Sequence, residues 1–309
     1  MRGMKGTVGP GNTLVLAAVA PFDLREVVRA HGWWQLAPFR WDEQSRVLTA
    51  TCELGSAATE LEVVASGEAG VEVRWVGDAE SKAVATAVGR MLMLDADLSG
   101  FHRRCARRRR WRHVSERGLG RLLRSPSLWE DLVKILCTTN IAWSGTKGMV
   151  ARLVEAFGAL SPSGQRAFPS AAILAEAGAD RMGEVARLGY RKVAVHELAV
   201  AVAEGRLDLA TWADQSRSTP DLYREIMACK GFGPYAAACA LALLGRYDFV
   251  PVDSAYLQHV RTAYANGADL TAAQIRQTYD AWGRWKFLAY WFDDASETVL
   301  DLNDVRVGP

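Results

Sequence analysis

The chain has 309 residues, half of them apolar, and a formal net charge of only +2. This length suits two domains, or one domain with a large additional lobe. No run of about 18 apolar residues occurs, and the first dozen residues lack the apolar centre of a secretion signal. We therefore expect a cytoplasmic protein that does not enter a membrane.

The cysteines and histidines show no pattern typical of a metal site. The five cysteines are Cys52, Cys105, Cys137, Cys229 and Cys239. Their number is odd and no two form a C-x-x-C pair, which argues against a disulfide framework and against a zinc or iron–sulfur centre. The five histidines also lack metal-ligand spacing, so no metal is expected to take part in the chemistry.

The first hundred residues are predicted to form a β-rich domain. Residues 47–54 and 61–65 alternate partly between apolar and polar side chains, and residues 71–75 alternate fully. The segment 66–70 suits a hairpin turn. Short and longer helical patterns occupy residues 23–31 and 78–94. We therefore expect an antiparallel sheet with helices on one face, in a domain spanning residues 1–100.

A basic segment follows this domain. Residues 101–125 contain ten arginines and one acidic residue, Glu116. Such a run is typical of a solvated surface or a linker, and equally of a surface that contacts phosphates. The composition of this segment, with its most basic part at 103–112, does not decide between these alternatives.

Most of the remaining chain is predicted to be helical. Ser125-Pro126 is a suitable helix start, and Ser127 with Glu130 offers an alternative capping box. The other predicted helices span residues 145–157, 170–177, 181–188, 191–204, 209–215, 272–282 and 284–292. The predicted fold is therefore α+β, with a helical domain over residues 101–309.

A glycine hairpin lies within residues 226–244. Gly231-Phe232-Gly233 separates a helix that ends near Cys229 from one that starts at Pro234. Two glycines allow unusual backbone angles and close approach of a phosphate, and the following helix presents free N–H groups. Lys230 adds a positive charge. An ordinary tight turn between helices would show the same residues.

Asp253 ends the loop 245–254 and precedes a helical run at 254–264. This is the position of a helix N-cap, where a carboxylate stabilises the helix by about 1 kcal/mol. The same position also suits a carboxylate at the mouth of a cleft. The combination of a G-F-G hairpin and, 20 residues later, Pro251-x-Asp253 is more specific than either part.

This combination resembles the helix-hairpin-helix DNA glycosylase superfamily, near the branch of 3-methyladenine DNA glycosylase II and 8-oxoguanine DNA glycosylase. The resemblance spans about residues 22–292. It implies that the hairpin grips double-stranded DNA beside a damaged base and that Asp253 is the essential aspartate. It also implies a monovalent cation, Na⁺ or K⁺, held by the backbone carbonyls of Met227, Cys229 and Phe232.

Further motifs match this family in the same order. Cys137-Thr-Thr-Asn140 resembles the segment whose asparagine contacts the unpaired partner base. The run 188–192 resembles the loop whose tyrosine, here Tyr190, wedges into the duplex and whose arginine, here Arg191, reads the partner base. Cys239 and Phe292 match the pair that sandwiches the flipped base. Phe39-Arg-Trp41 resembles an amino-terminal motif of the 8-oxoguanine branch.

Three departures from the family bear on the reaction. Bifunctional members carry a nucleophilic lysine where this chain has Tyr235, so we expect a monofunctional enzyme that uses water. Leu36 and Leu288 replace polar groups that read 8-oxoguanine. The more apolar pocket favours alkylated purines such as 3-methyladenine; the candidate aromatic linings are Trp143, Trp282, Trp285, Tyr290 and Trp291.

Two other functions stay open on the sequence. One is excision of an oxidised purine such as 8-oxoguanine, and the other is a non-catalytic module that binds damaged DNA. The resemblance implies a monomer that acts on double-stranded DNA at the bacterial nucleoid. It implies no cofactor beyond the structural cation.

Overall fold

A six-stranded antiparallel sheet forms the amino-terminal part of the computed structural model, which describes residues 7–9, 12–264 and 270–293. The strand order is β1-β2-β6-β5-β4-β3. The strands are β1 (Thr7–Gly9), β2 (Thr13–Ala17), β3 (Arg40–Asp42), β4 (Val47–Glu53), β5 (Ala58–Ala65) and β6 (Gly70–Val76).

The alternation in the sequence sets the two faces of this sheet. In β6, Val71, Val73 and Trp75 are buried, whereas the intervening side chains are more exposed. The predicted turn at 66–70 joins β5 to β6, in a register that pairs Val63 with Val73. The helices α1 (Leu24–Arg29) and α2 (Ser81–Leu92) pack against each other, and α2 packs against β2.

The rest of the described chain is mainly helical. Its helices are α3 (Ser99–Ala106), α4 (Arg112–Glu116), α5 (Leu128–Thr138), α6 (Trp143–Phe157), α7 (Ala171–Ala177), α8 (Ala179–Ala186), α9 (Arg191–Ala203), α10 (Leu209–Ala213), α11 (Thr219–Ala228), α12 (Pro234–Leu243), α13 (Ser254–Tyr264), α14 (Ala272–Gln277) and α15 (Lys286–Trp291). The predicted α+β fold is confirmed. No described helix has the length and apolar character needed to cross a membrane.

The predicted domain boundary at residue 100 lies inside α3, and a single hydrophobic core extends from the sheet into the helices. The two-domain division stays a prediction. Residues 294–309 of the predicted helical domain lie outside the described chain.

The structure selects the second of the two predicted starts for one helix and shortens another. The helix predicted after Ser125-Pro126 starts at Leu128, because Ser127 is the N-cap and its hydroxyl accepts a hydrogen bond from the Glu130 N–H. The helix predicted over 272–282 ends at Gln277. A 3-10 turn (Asp280–Trp285) follows it, and Gly283 within that turn has a left-handed φ of +57° that interrupts the helical backbone.

The basic segment divides between structural and exposed arginines. Arg121 is 2% exposed and donates hydrogen bonds to the carbonyls of Val19, Pro21, Met93 and Ala96. Other arginines of the segment form ion pairs or stack on aromatic rings. The side chains of Arg103, Arg107, Arg109 and Arg112 are exposed. The segment is therefore neither a linker nor wholly a surface for phosphates.

Candidate active site

The hairpin between α11 and α12 is held from inside the protein. Gly231 has a φ of +84°, and a Cβ there would lie 2.8 Å from both Ala194 Cβ and Leu136 Cδ2. The next side chain, Phe232, is 3% exposed and anchors the turn in the core. Both the backbone angle and the available space therefore require glycine at 231.

Gly233 differs from Gly231 in both respects. Its φ of −81° is available to any residue, and a Cβ there would meet no atom within 4 Å. The prediction that both glycines provide unusual backbone angles therefore holds only for Gly231. The space around Gly233 is open to solvent beside the first turn of α12, where backbone N–H groups have no partner within the helix.

Asp253 caps the helix that follows it. Its Oδ1 accepts a hydrogen bond of 2.7 Å from the Tyr256 N–H, and its carbonyl accepts one of 2.9 Å from the Leu257 N–H. Burial raises the pKa of the Asp253 carboxyl above its usual value, against the opposing effect of backbone N–H donors. The carboxylate is thus fixed in direction and partly removed from water.

A cleft of about 380 Å³ brings the hairpin and Asp253 together. Its walls are Thr138, Thr139, Asn140, Tyr190, Gly231, Gly233, Pro234, Tyr235, Ala236, Val252, Asp253 and Ser254. Six of the predicted site residues, from four separate parts of the sequence, therefore line one cleft.

The cleft is also lined by Asn140 and Tyr190. Asn140 follows the end of α5 in a left-handed conformation, with a φ of +47°. Its side-chain amide donates to the Tyr190 hydroxyl over 3.3 Å. Tyr190 is 63% exposed, which is unusual for a large aromatic residue. An exposed ring beside a cleft has the position that a wedge would need.

Arg191 lies beneath Asn140 and Tyr190. Its side chain is 6% exposed, and its guanidinium donates to the carbonyls of Thr139 and Asn140 and stacks beside the Tyr190 ring at 4.6 Å. These contacts fix the backbone at Asn140 and the ring of Tyr190. Its predicted contact with a partner base stays a prediction.

Tyr235, which the sequence resemblance matches to a nucleophilic lysine, lines the cleft. Cys239, burial and Asp253 together raise the pKa of its phenol well above the usual value, so it stays neutral. Among the described residues, no lysine lines this cleft. Lys230 forms an ion pair of 2.6 Å with Glu197 of α9 and lines a groove on that side of the hairpin.

A second, smaller cavity lies behind the cleft. Its volume is about 60 Å³ and its walls are His31, Trp33, Leu122, Ile135, Thr138, Tyr235, Cys239, Ala242, Leu243, Phe287 and Trp291. Thr138 and Tyr235 belong to both the cleft and this inner cavity. The two spaces therefore share a wall, and that wall faces Asp253 on one side and Cys239 on the other.

The predicted base-pocket residues divide into two groups. Cys239 and Tyr235 line the inner cavity, but Leu36, Leu288 and Phe292 are buried in the core and are not part of its wall. Of the five candidate aromatic linings, only Trp291 contributes. The sequence reasoning did not identify His31 or Trp33; the dense aromatic run His31-Gly-Trp-Trp34 was the available signal.

The backbone at the hairpin leaves carbonyl oxygens available. Cys229 C=O accepts one hydrogen bond, from the Phe232 N–H at 3.1 Å. Within the described chain, the carbonyls of Met227 and Phe232 accept no backbone hydrogen bond. Carbonyl oxygen is a suitable ligand for a hard cation, so these three groups fit the predicted ion in their chemistry.

Comparison with solved structures identifies the fold. The chain is 19% identical to the Clostridium acetobutylicum 8-oxoguanine glycosylase/lyase in complex with double-stranded DNA, with a TM-score of 0.74 over 96% of this chain and 98% of the other. MBOgg1 in complex with a low-affinity DNA ligand gives 20% identity and the same TM-score, over 94% and 96%. The chain has a DNA glycosylase fold.

A third solved structure has a similar likeness to the chain. The 3-methyladenine DNA glycosylase of Archaeoglobus fulgidus is 17% identical, with a TM-score of 0.72 over 90% of this chain and 96% of that one. No protein-family model and no curated protein sequence matches the chain. The likeness therefore concerns the fold of almost the whole described chain.

Proposed function

We propose that this protein is a DNA glycosylase of base-excision repair, which flips a damaged purine out of duplex DNA and hydrolyses its N-glycosidic bond. The observation that carries the proposal is the position of Asp253. Its fixed carboxylate lies in one cleft with the hairpin glycines and with the exposed Tyr190 ring. This arrangement can hold a backbone, fill the gap of a flipped nucleotide and stabilise a sugar cation.

The proposed chemistry depends on charge. Cleavage of an N-glycosidic bond builds positive charge on the sugar, as in other glycoside hydrolyses. A carboxylate already directed at that position stabilises the charge without reorganisation. Asp253 can also orient the attacking water or accept its proton. The base leaves, a hydroxyl group forms on the anomeric carbon, and an abasic site remains.

The inner cavity is the proposed place of the flipped base. Its walls are apolar and aromatic, with Trp33, Phe287 and Trp291 among them, which suits the stacking and cation–π attraction of an electron-poor alkylated purine. Its volume of about 60 Å³ corresponds to roughly two water molecules. A purine is larger than this space, so side chains of the wall must move for a base to enter; among the described residues, Thr138 and Tyr235 form the wall shared with the cleft.

The decisive experiment uses duplex oligonucleotides that each carry one lesion from a panel of alkylated and oxidised purines. Abasic sites are scored after incubation, with and without alkali. We expect release of an alkylated purine and strand breaks only after alkali. Release of 8-oxoguanine alone would support an oxidised-purine glycosylase, and release from no lesion would support a non-catalytic binding module.

The reaction is proposed to be monofunctional, because no lysine lines the cleft in the described chain. Borohydride added during turnover should trap no covalent enzyme–DNA adduct. Tyr235→Lys is the matched control, since it places an amine at the shared wall. A borohydride-stable adduct with the wild-type protein would show that a lysine outside this cleft attacks the sugar.

The two hairpin glycines should respond differently to alanine. Gly233→Ala adds a methyl group into open space, so the midpoint of unfolding should hardly change while binding to duplex DNA weakens about tenfold through lost phosphate approach. Gly231→Ala requires a left-handed alanine in contact with Ala194 and Leu136 and should lower the free energy of unfolding by about 1–3 kcal/mol.

These two variants are compared by urea unfolding and by fluorescence anisotropy with a labelled duplex. Unchanged DNA affinity of Gly233→Ala would show that the hairpin is not part of the proposed interface.

We further propose that the carbonyls of Met227, Cys229 and Phe232 bind a monovalent cation that links the hairpin to a DNA phosphate. The affinity for duplex DNA should then differ between K⁺ and Li⁺ at equal ionic strength.

A further inference from the structure

The inner cavity offers a base very few free polar groups. The Trp33 indole N–H donates to Asp131 Oδ1 over 2.8 Å, and the Trp291 indole N–H donates to the Ala30 carbonyl over 2.8 Å. The Thr138 hydroxyl donates to the Ile135 carbonyl over 2.7 Å. The donors of these three wall residues are therefore already used by the protein.

Besides the Tyr235 hydroxyl and the Cys239 thiol, His31 brings a further polar group to this wall. Its side chain is 6% exposed, and its Nε2 lies 2.6 Å from the Leu123 carbonyl oxygen. A carbonyl can only accept, so Nε2 must carry the proton. Burial lowers the pKa of His31 to about 4, which keeps the ring neutral at pH 7. Nδ1 is therefore an unprotonated acceptor, and it has no hydrogen-bond partner among the described residues.

The ring has little freedom to turn. Trp33 lies against it, with ring centroids 4.8 Å apart, and Trp291 meets it edge-on at 6.3 Å. Trp33 is itself fixed by Asp131, which also accepts from Arg90. Rotation of the His31 ring would break the buried bond to Leu123. A fixed acceptor in an apolar cavity discriminates strongly between ligands. A ligand without an N–H group at that position leaves Nδ1 without a hydrogen-bond partner, and this lowers its affinity.

We propose that His31 accepts a hydrogen bond from an N–H group of the base in the inner cavity, and that the substrates are purines with such a donor. This inference rests on the proposed function, since it assigns the cavity to the flipped base. An amino group on a positively charged alkylated purine is a stronger donor than the same group on a neutral base. The acceptor therefore favours alkylated aminopurines over purines without a donor at that edge.

Nitrogen NMR of the wild-type protein tests the contact without any DNA reaction. Free 3-methyladenine, which carries an amino group, is compared with 3-methylpurine, which lacks it. We expect the Nδ1 resonance of His31 to move to lower shift with 3-methyladenine and to stay in place with 3-methylpurine. An unmoved resonance at saturating 3-methyladenine, or equal movement with both bases, would overturn the proposal.

A pair of variants tests specificity. His31→Phe removes the acceptor, and the matched control is His102→Phe, because the His102 Nε2 makes a similar bond of 2.7 Å to the Leu119 carbonyl outside the cavity. Wild type and His102→Phe should bind 3-methyladenine about tenfold more tightly than 3-methylpurine. In His31→Phe this ratio should fall to about one; a ratio that stays at ten would refute the role of His31.

The outcomes separate the two proposals. If wild-type protein releases no damaged base from DNA, the proposed function fails whatever the NMR shows. If it releases alkylated purines but the His31 resonance and the binding ratio respond equally to both bases, only the assignment of His31 fails. Loss of fold in His31→Phe, seen by thermal unfolding, leaves the wild-type NMR comparison as the deciding result.

Discussion

Asp253→Asn is expected to lower the single-turnover rate of base release by at least about 100-fold while the protein still binds lesion-containing DNA. Asparagine caps a helix about as well as aspartate, so the bond to the Tyr256 N–H can persist and the fold should be retained. What is lost is the negative charge opposite the sugar cation. Rates are measured with enzyme in excess and binding by anisotropy.

Asp248→Asn is the matched control for this variant. Asp248 is a half-buried acid of the same loop that does not line the cleft, so its amide should leave the rate within about twofold. Near-normal base release by Asp253→Asn would refute the assignment of the catalytic carboxylate. Loss of DNA binding in that variant would instead indicate that Asp253 acts in positioning the hairpin cleft.

The wild-type rate should also report the raised pKa of Asp253. The reaction needs the ionised carboxylate, and a raised pKa means that protonation begins at a higher pH than for an ordinary aspartate, whose pKa is about 3.9. As the pH is lowered, the rate should therefore begin to fall at a higher pH than it would with an ordinary aspartate. The acid limb should be absent from the residual activity of Asp253→Asn.

Lys134→Met is expected to lower the free energy of unfolding by about 3–5 kcal/mol, because it leaves a buried carboxylate without its partner. Lys134 is fully buried in α5 and Glu130 is 3% exposed, and they are joined by a bond of 2.6 Å. The Lys134 ammonium also lies over the Phe39 ring at 4.6 Å and donates to the Ser125 hydroxyl.

The double variant Glu130→Leu with Lys134→Met removes both charges and should recover most of the lost stability. Burial raises the pKa of Glu130, so a fall in pH protonates this carboxylate and removes its unpaired charge. The loss of unfolding free energy in Lys134→Met should therefore be smaller at pH 5 than at pH 8. Urea unfolding at both pH values measures this. Lys192→Met, which opens an exposed pair with Asp180, is the control with little expected change. Equal losses in single and double variants would contradict the buried-pair explanation.

Stability of α5 matters for function because the cleft begins at its end. The wall residue Thr138 is the last residue of this helix, and Thr139 and Asn140 follow it directly. The family-like motif Phe39-Arg-Trp41 contributes here as structure, since Phe39 covers the buried ammonium of Lys134. A lesion-binding defect in Lys134→Met would therefore be expected to appear together with lower stability.

Local signals account for the parts that the sequence predicts well. Alternation predicts β6, the serine and acidic pair at Ser127 and Glu130 is one of two possible starts for α5, and G-F-G predicts the turn between α11 and α12. Each depends on backbone geometry within a few residues. The position of Asp253 before α13 also depends on local backbone geometry, as does the left-handed backbone of Asn140.

Other features depend on contacts between distant residues, which no local pattern reports. The family resemblance places Phe292 beside Cys239, whereas packing brings Trp291 to the cavity wall instead, and packing also ties Arg191 to the end of α5. The choice between the two possible helix starts near residue 125 was also tertiary. Ser125 is buried, with its hydroxyl accepting from the Lys134 ammonium and its carbonyl accepting from Arg90 of α2, whereas the Ser127 hydroxyl accepts from the Glu130 N–H.

The sequence by itself determined the α+β class, the hairpin, the capping aspartate and the tyrosine in the place of a lysine. Only the tertiary structure decided which of these share a cleft, that the arginine-rich segment is partly buried, and that His31 lines an inner cavity behind Tyr235. The physical reason is the long separation in sequence between the residues that make these contacts. His31 bonds to Leu123 across 92 positions and Trp291 to Ala30 across 261, and such contacts form only when the whole core packs.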